Sequence, residues 1–310
     1  MTARVGTLAA VMACAASLLT CGSASPGRSL DLGAPGALPA SRSSHVVEIV
    51  MENKEDADIL GSRDAPYANG LARRYGVATA SFAITHPSLP NYLALTSGST
   101  HGITDDCTDC HVAGANLVDQ LEAARVSWKA YMEDLPRRCY RGAKSHGYVK
   151  KHDPFLYYDD VARSPARCRK VVGFAALTAD LRKGALPTFA FISPNLCHDS
   201  HDCGVSTGDQ ALARLVPGVL RELGPHGFLV LTWDEGRTDR GCCSTAHGGR
   251  IATIVAGPDV LRGGRHGVPV DHYGVLRSVE NALGLSPLAA AADPSHGSLA
   301  PLFRRTPRVR

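Results

Sequence analysis

At 310 residues, 44% of them hydrophobic and 20% charged, the chain is long enough for a full core and is composed like a soluble globular protein, as one α/β domain with insertions or as two small domains. Its formal charge of +4 is too small and too dispersed to point to nucleic acid, so no nucleic-acid partner is expected, while anionic substrates are compatible with it.

The chain opens with Arg4, an apolar run from Val5 to Leu19 and small residues around Gly22 and Ala24. That run is too short for a membrane span, so residues 1–24 read as a secretory signal and the protein as secreted or held at the cell envelope. Leu18-Leu19-Thr20-Cys21 resembles a lipoprotein cleavage box, with Thr20 a poor fit before the cysteine; a lipid anchor on Cys21 is the alternative. Residues 25–44, rich in Gly, Ala, Ser and Pro, read as a flexible linker, and residues 45–310 as the functional domain.

Within that domain, apolar runs with β-branched or aromatic residues predict strands at His45 to Met51, Val77 to Ile84, Val126 to Met132, Thr188 to Ser193, Gly227 to Trp233 and Ile251 to Ala256. Stretches of helical period alternate with them at Pro66 to Tyr75, Ala115 to Arg125, Phe174 to Arg182, Asp209 to Leu223 and Tyr273 to Leu283. This alternation predicts an α/β fold, a central, mostly parallel sheet with helices on both faces. Residues 134–170, with Arg, Lys, Tyr and three prolines, read as an insertion over one edge of the sheet.

Beyond Cys14 and Cys21 eight cysteines remain, an even number that suits disulfides in an exported protein; the two local pairings expected are Cys197 with Cys203 and Cys139 with Cys168. Cys107-Thr108-Asp109-Cys110-His111 is also a literal c-type haem attachment pattern, which makes electron transfer a remote alternative function. Its place in a Gly/Thr/Asp-rich loop, with no methionine nearby as axial ligand, argues against haem. A zinc knuckle of Cys107, Cys110, Cys242 and Cys243 is a further alternative, disfavoured by export to an oxidising compartment.

Ligands of such sheets bind beyond the carboxyl ends of the strands. The residues there are Glu52 and Asn53, then Thr85-His86-Pro87-Ser88-Leu89-Pro90-Asn91, then Asn195 to Asp202, then Asp234 and Glu235. Carboxylates converging at one rim repel unless a cation neutralises them, and hard oxygen donors favour Ca²⁺, Mg²⁺ or Mn²⁺. Glu52, Asn53, Ser88, Asp234 and Glu235 come from three separated segments that the sheet would bring to one rim, and a metal ion among them is expected. Two prolines frame Ser88 in a stiff, extended turn, as suits a nucleophile that a metal or a base activates. Asn91, at the start of the helical run Tyr92 to Gly98, is placed to donate its amide to a developing oxyanion.

The order of these motifs resembles one family. V-V-E-I-V-M-E-N, T-H-P-S-L-P-N-Y-L-A-L-T-S-G, F-I-S-P-N-L-C-H-D-S-H-D, T-W-D-E-G and H-G-G-R-I-A-T-I-V-A-G-P, spread over roughly residues 45–285, are similar to the phosphoesterase family of bacterial acid phosphatases and phospholipases C, within the alkaline phosphatase superfamily. The resemblance implies an alkaline phosphatase-like sheet, Ser88 as the phosphorylated nucleophile, the four acidic and amide residues as metal ligands, and Asn91 against a phosphate oxygen. The superfamily's D-H-G is here D-E-G, which puts a two-zinc site in doubt. His201 or His247 is then expected as general acid. The motifs around Glu133, Lys151 and His272 resemble short exported acid phosphatases that act on phosphoinositides, and Lys151, His198, Asp202 and His272 are expected at the substrate. The expected function is a secreted, metal-dependent acid phosphatase, monomeric, acting on small or lipid phosphate monoesters at a membrane surface or in solution. A phospholipase C-type phosphodiesterase is the alternative.

Overall fold

A computed structural model describes Thr2 and residues 43–309. The expected signal, Cys21 and all but the last two residues of the linker lie outside this range, Thr2 excepted. Each expected strand forms: β1 (Val46–Met51), β2 (Gly76–Phe82), β3 (Trp128–Met132), and, after the short β4 (Lys144–Ser145), β5 (Tyr148–Val149) and β6 (Val171–Gly173), β7 (Phe189–Ser193), β8 (Phe228–Trp233) and β9 (Arg250–Ala256). Two further short strands follow, β10 (Arg265–His266) and β11 (Val270–Asp271). The main sheet runs β10-β2-β9-β8-β1-β7-β3-β6, with β11 also on β2, and β9 alone is antiparallel to its neighbours. β4 and β5 form a separate hairpin.

Burial on both faces explains why β1, β7 and β8 read as unbroken apolar runs. Along β1 the side chains still alternate between two cores. Val46 and Val50 join the core containing Leu89, Tyr92 and Leu93 of the Ser88–Ser97 helix and Val275 and Leu276 of the His272–Ala282 helix. Val47, Ile49 and Met51 join Leu71 of the Pro66–Arg74 helix, Leu177 of the Phe174–Lys183 helix and Leu212 and Val216 of the Val205–Glu222 helix. The last of these begins four residues before the stretch expected from periodicity, and the helix expected from Ala115 is shorter, Leu117–Ala123, its start fixed by the Asn116 side chain accepting from the Val118 amide.

The segment expected as an insertion carries the β4–β5 hairpin, the 3₁₀ turns Lys150–His152 and Pro154–Leu156, and two single-turn helices, all before β6. It is tied down by Phe155, Tyr157 and Tyr158, buried in the first core, and it carries Lys151 and His152.

Glu48 is an anomaly within β1. It is 1% exposed on the face of Val46 and Val50, and its Oε1 has no hydrogen-bond partner. Burial pushes its carboxyl up to about 8, so the folded protein holds a proton that the unfolded chain releases near its ordinary value of 4.5. Because the folded state binds this proton more tightly, stability is fully present below about pH 4.5 and is lost as pH rises towards 8, by up to about 5 kcal/mol. Glu48→Gln is expected to flatten that part of the slope, as read by urea unfolding at pH 5 and pH 8. An unchanged difference between the two pH values would show that Glu48 titrates alike in both states.

Candidate active site

Because β1, β2, β7 and β8 run the same way, their carboxyl ends deliver Glu52–Asn53, the 83–88 turn, the 195–202 segment and Asp234–Glu235 to one rim. The reversed β9 brings its amino end to the same rim, with His247, Gly248 and Gly249 before it. The His247 amide donates to the Ile84 carbonyl at 2.8 Å and the Gly248 amide to the Ala83 carbonyl at 3.0 Å. A side chain at Gly248 would place its Cβ 2.5 Å from the Thr85 carbonyl oxygen, so close packing against the serine turn requires glycine there.

Ser88 is the first residue of the Ser88–Ser97 helix, which therefore begins four residues before the expected Tyr92. Pro90 is tolerated because amides in a helix's first turn have no intrahelical partner. Asn91 corrects a second expectation. Its Oδ1 accepts from the Ile84 and Thr85 amides at 2.9 and 3.1 Å, and its Nδ2 donates to the Thr85 and Pro87 carbonyls at 2.7 and 3.2 Å. With both ends of the amide spent on the turn, Asn91 holds Ser88 in place instead of facing an oxyanion.

The Ser88 hydroxyl, on a residue 1% exposed, donates to Glu52 Oε2 at 3.2 Å and lies 3.4 Å from Glu235 Oε1 and 3.4 Å from Lys151 Nζ. Lys151 is anchored by Asp106 at 2.9 Å. Burial works against the Lys151 charge, but Asp106 and Glu52 outweigh it and hold the ammonium above its ordinary range.

The carboxylates differ sharply. Burial would push Glu52 up, yet His152, the Tyr92 hydroxyl at 2.6 Å and Lys151 bring it to about 2. Burial, with the repulsion of Glu52 and Glu235 added, drives Asp234 well above its usual value, and the Lys151 charge within reach of it is too little to offset them. Its Oδ1 accepts from the Asn53 amide at 3.0 Å, while the buried Oδ2 has no partner. Glu235, buried and repelled by Glu52 and Asp106, rises to about 7 although His86 Nδ1 stands 2.6 Å from its Oε2. Glu52 and Glu235 facing one hydroxyl, with Asp234 buried beside them and one of its oxygens orphaned, are a donor set that fits a hard divalent cation.

On the other side of Glu52 lies a residue that nothing in the sequence sets apart from its neighbour Lys151. His152, 3% exposed, is stacked on Tyr92 with 5.3 Å between ring centres. Its Nε2 is 3.1 Å from Glu52 Oε1 and its Nδ1 3.3 Å from Asp199 Oδ2; both pairs are close enough for ion pairing but poorly aligned as hydrogen bonds, which leaves His152 Nε2 and Asp199 Oδ2 unsatisfied. Burial lowers the imidazole, and the two carboxylates more than reverse this, to about 9. His201 Nε2 is 3.4 Å from Lys151 Nζ, and its Nδ1 is fixed by Asp202 at 2.7 Å. Ligand atoms of Glu52, His152 and His201 lie within 4.8 Å of one another and could hold a metal ion. The only local signals for these groups were the position of Tyr92 beside Asn91 and of His152 beside Lys151.

Other expected residues fall elsewhere. His198 is turned to Glu133, 2.9 Å away, and Asp202 acts on His201. His247 reaches the rim with an exposed side chain. His272 is fully buried, its Nε2 2.6 Å from the Asp234 carbonyl, and burial takes it down to about 4; a neutral ring behind the Asp234 backbone cannot touch substrate, which corrects its expected role. The Asn53 backbone occupies the left-handed region and its amide, as noted, serves Asp234.

The cysteines pair as Cys107–Cys110, Cys139–Cys168, Cys197–Cys203 and Cys242–Cys243. Both local pairings expected are present. Cys107 and Cys110, bonded to each other, have no thiols for haem attachment, and the knuckle's four sulfurs are likewise consumed.

The sequence model of the Phosphoesterase family matches residues 51–286. The chain is 34% identical over 256 residues to the phosphatidylinositol-3-phosphatase of Mycobacterium tuberculosis, a match covering 81% of this chain and 80% of that one. It is 27% identical over 275 residues to the phosphate-repressible acid phosphatase of Penicillium chrysogenum, covering 84% of this chain and 65% of the fungal protein. Among solved structures it is similar to a protein of the alkaline phosphatase superfamily from Vibrio parahaemolyticus, with TM-score 0.56 and 12% identity over 86% of this chain and 78% of that chain. A second is the C-terminal periplasmic domain of EcEptC from Escherichia coli, with TM-score 0.53 and 9% identity over 87% and 91% of the respective chains. At such identities the structural likeness shows the fold, an alkaline phosphatase-like α/β sheet. The family match starts at the last residue of β1, ends beyond the last long helix and so encloses every residue assembled at this rim: the chain belongs to the Phosphoesterase family and is a phosphoric ester hydrolase.

Proposed function

We propose that the protein is a secreted, metal-dependent acid phosphatase that cleaves phosphate monoesters through a phosphoserine on Ser88. The observation that carries this reading is the Ser88 hydroxyl set among Glu52, Glu235 and the Lys151 ammonium, all within 3.4 Å. The relatives named acid phosphatase and phosphatidylinositol-3-phosphatase support a monoester substrate, of small-molecule or lipid origin. Four disulfides support export. No helix among the described residues is long and apolar enough to cross a membrane.

A divalent cation held by Glu52, Asn53, Asp234 and Glu235, with Ser88 beside it, would supply Lewis-acid stabilisation of the serine oxygen and of phosphate charge. Ca²⁺, Mg²⁺ or Mn²⁺ suits the oxygen donors. Asn91 fixes the turn so that Ser88 Oγ faces the incoming phosphorus, and the hydroxyl proton is directed at Glu52. Lys151, kept charged by Asp106, pairs with a phosphate oxygen. His201, oriented by Asp202, donates a proton to the departing alkoxide. Water then hydrolyses the phosphoserine.

Phosphate released from matched lipid monoesters and diesters tests the substrate class: free phosphate from the monoester supports the proposal, and diacylglycerol from a phosphodiester lipid with no phosphate release would replace it with the phospholipase C reading. The role of His201 predicts a dependence on the leaving group. His201→Asn is expected to cost about a hundredfold on glycerol phosphate and much less on p-nitrophenyl phosphate, whose leaving group needs little protonation. Equal losses on both would make His201 a ligand or positioning group.

A further inference from the structure

At the end of the sheet opposite Ser88, between the amino end of β2 and the carboxyl end of β9, lies a cleft of about 220 Å³. It is lined by Arg74, Arg262 and Arg304, with Tyr75, Leu220, Leu223 and Val260 as its apolar wall. The arginines come from three separate segments: the end of the Pro66–Arg74 helix, the turn after β9 and the segment after the Ala300–Leu302 turn. No acidic side chain lines the cleft, and among the described residues none of the three arginines forms an ion pair. The nearest acid in sequence, Asp259, is engaged elsewhere, its Oδ2 2.9 Å from His226 Nδ1 and its carbonyl accepting from the Arg304 amide. Arg74 is steadied by the Tyr75 ring, 5.3 Å from its guanidinium carbon.

Three guanidinium-bearing chains brought into one cleft repel one another, and a bound anion turns that repulsion into attraction. The planar donor fork of arginine matches a phosphate in shape as well as charge. The apolar wall would be wasted on a bare inorganic ion and suits an organic body. The volume is small, sufficient for a phosphate on a single ring or short chain. The cleft has no serine or carboxylate among its lining residues, so a ligand there is held and not cleaved.

We propose that this cleft is a second anion site, remote from Ser88, that binds a phosphate monoester by its phosphate through Arg74, Arg262 and Arg304 and seats the organic part against Tyr75, Leu220, Leu223 and Val260. The same chemistry is offered by a soluble ester and by a lipid headgroup.

Calorimetric titration with phenylphosphonate, which cannot be hydrolysed, tests it. The triple variant Arg74→Gln, Arg262→Gln, Arg304→Gln is expected to bind one molecule fewer than wild type, and Arg262→Gln alone to weaken that site about tenfold. Unchanged kcat/KM on p-nitrophenyl phosphate shows that the triple variant is folded, and the difference in bound molecules is read without reference to turnover. Equal numbers bound by the two proteins overturn the proposal. Flotation with phosphatidylcholine vesicles containing phosphatidic acid, in a Ser88→Ala background, separates the sources: vesicle binding lost in the triple variant assigns a lipid headgroup, and phenylphosphonate binding without it assigns a soluble ester.

Discussion

Ser88→Ala is expected to lower kcat on p-nitrophenyl phosphate by about a thousandfold or more while leaving the fold intact. The substitution removes the attacking oxygen. It also removes a hydroxyl whose partners are the side chains of Glu52, Glu235 and Lys151, and no backbone hydrogen bond of the turn depends on it. The turn itself is held by the four hydrogen bonds of Asn91, which remain. The thermal midpoint should therefore stay within a few degrees of wild type. A variant that kept about a tenth of the activity would mean that Ser88 is not the nucleophile. A variant that lost activity and melted far lower would mean that the hydroxyl is structural.

Asp234→Asn is the second large effect, with opposite signs in activity and stability. Asp234 is completely buried beside Glu52 and Glu235, with Oδ2 unpartnered, and in the metal-free protein this costs a few kcal/mol, either as repulsion between the carboxylates or as the uptake of a proton that relieves it. Asparagine keeps the oxygen that accepts from the Asn53 amide and removes the charge. After exhaustive chelation the variant should melt several degrees higher than chelated wild type, yet its activity should be down by about a hundredfold or more because a metal ligand is gone. Chelated wild type should lose activity and regain it with Mg²⁺, Mn²⁺ or Ca²⁺. A chelated variant that melts below chelated wild type would show that Asp234 stabilises the fold without an ion, and activity surviving in the variant would remove Asp234 from the ligand set.

Much of the fold was legible because of where apolar side chains recur. Runs such as Phe228–Trp233, buried on both sides, have few alternatives to a central strand, and the polar residues that follow them can only lie at the rim. Their position after such strands is enough to bring Glu52, Ser88, Asp234 and Glu235 to one rim. The helix at Ser88 was misplaced because proline signals a break in sequence, while in space its missing amide does no harm within a helix's first turn.

The amino-acid sequence by itself determined the strand and helix segments, the rim residues that follow each strand and the family, since these rest on local periodicity and on motif order. Only the tertiary structure decided which groups meet. Nothing local states that β9 runs against its neighbours, yet that reversal carries His247 and Gly248 to the serine turn. Nothing local separates His152, stacked on Tyr92 between two carboxylates, from the exposed His247, or from His272 facing the back of Asp234. Arg74, Arg262 and Arg304 are ordinary surface arginines until the chain brings them to one cleft. The physical reason is shared: periodicity fixes which way a side chain points from its own element, whereas its partners are chosen by closing long loops, at a cost that depends only weakly on length and leaves no mark on the residues at either end.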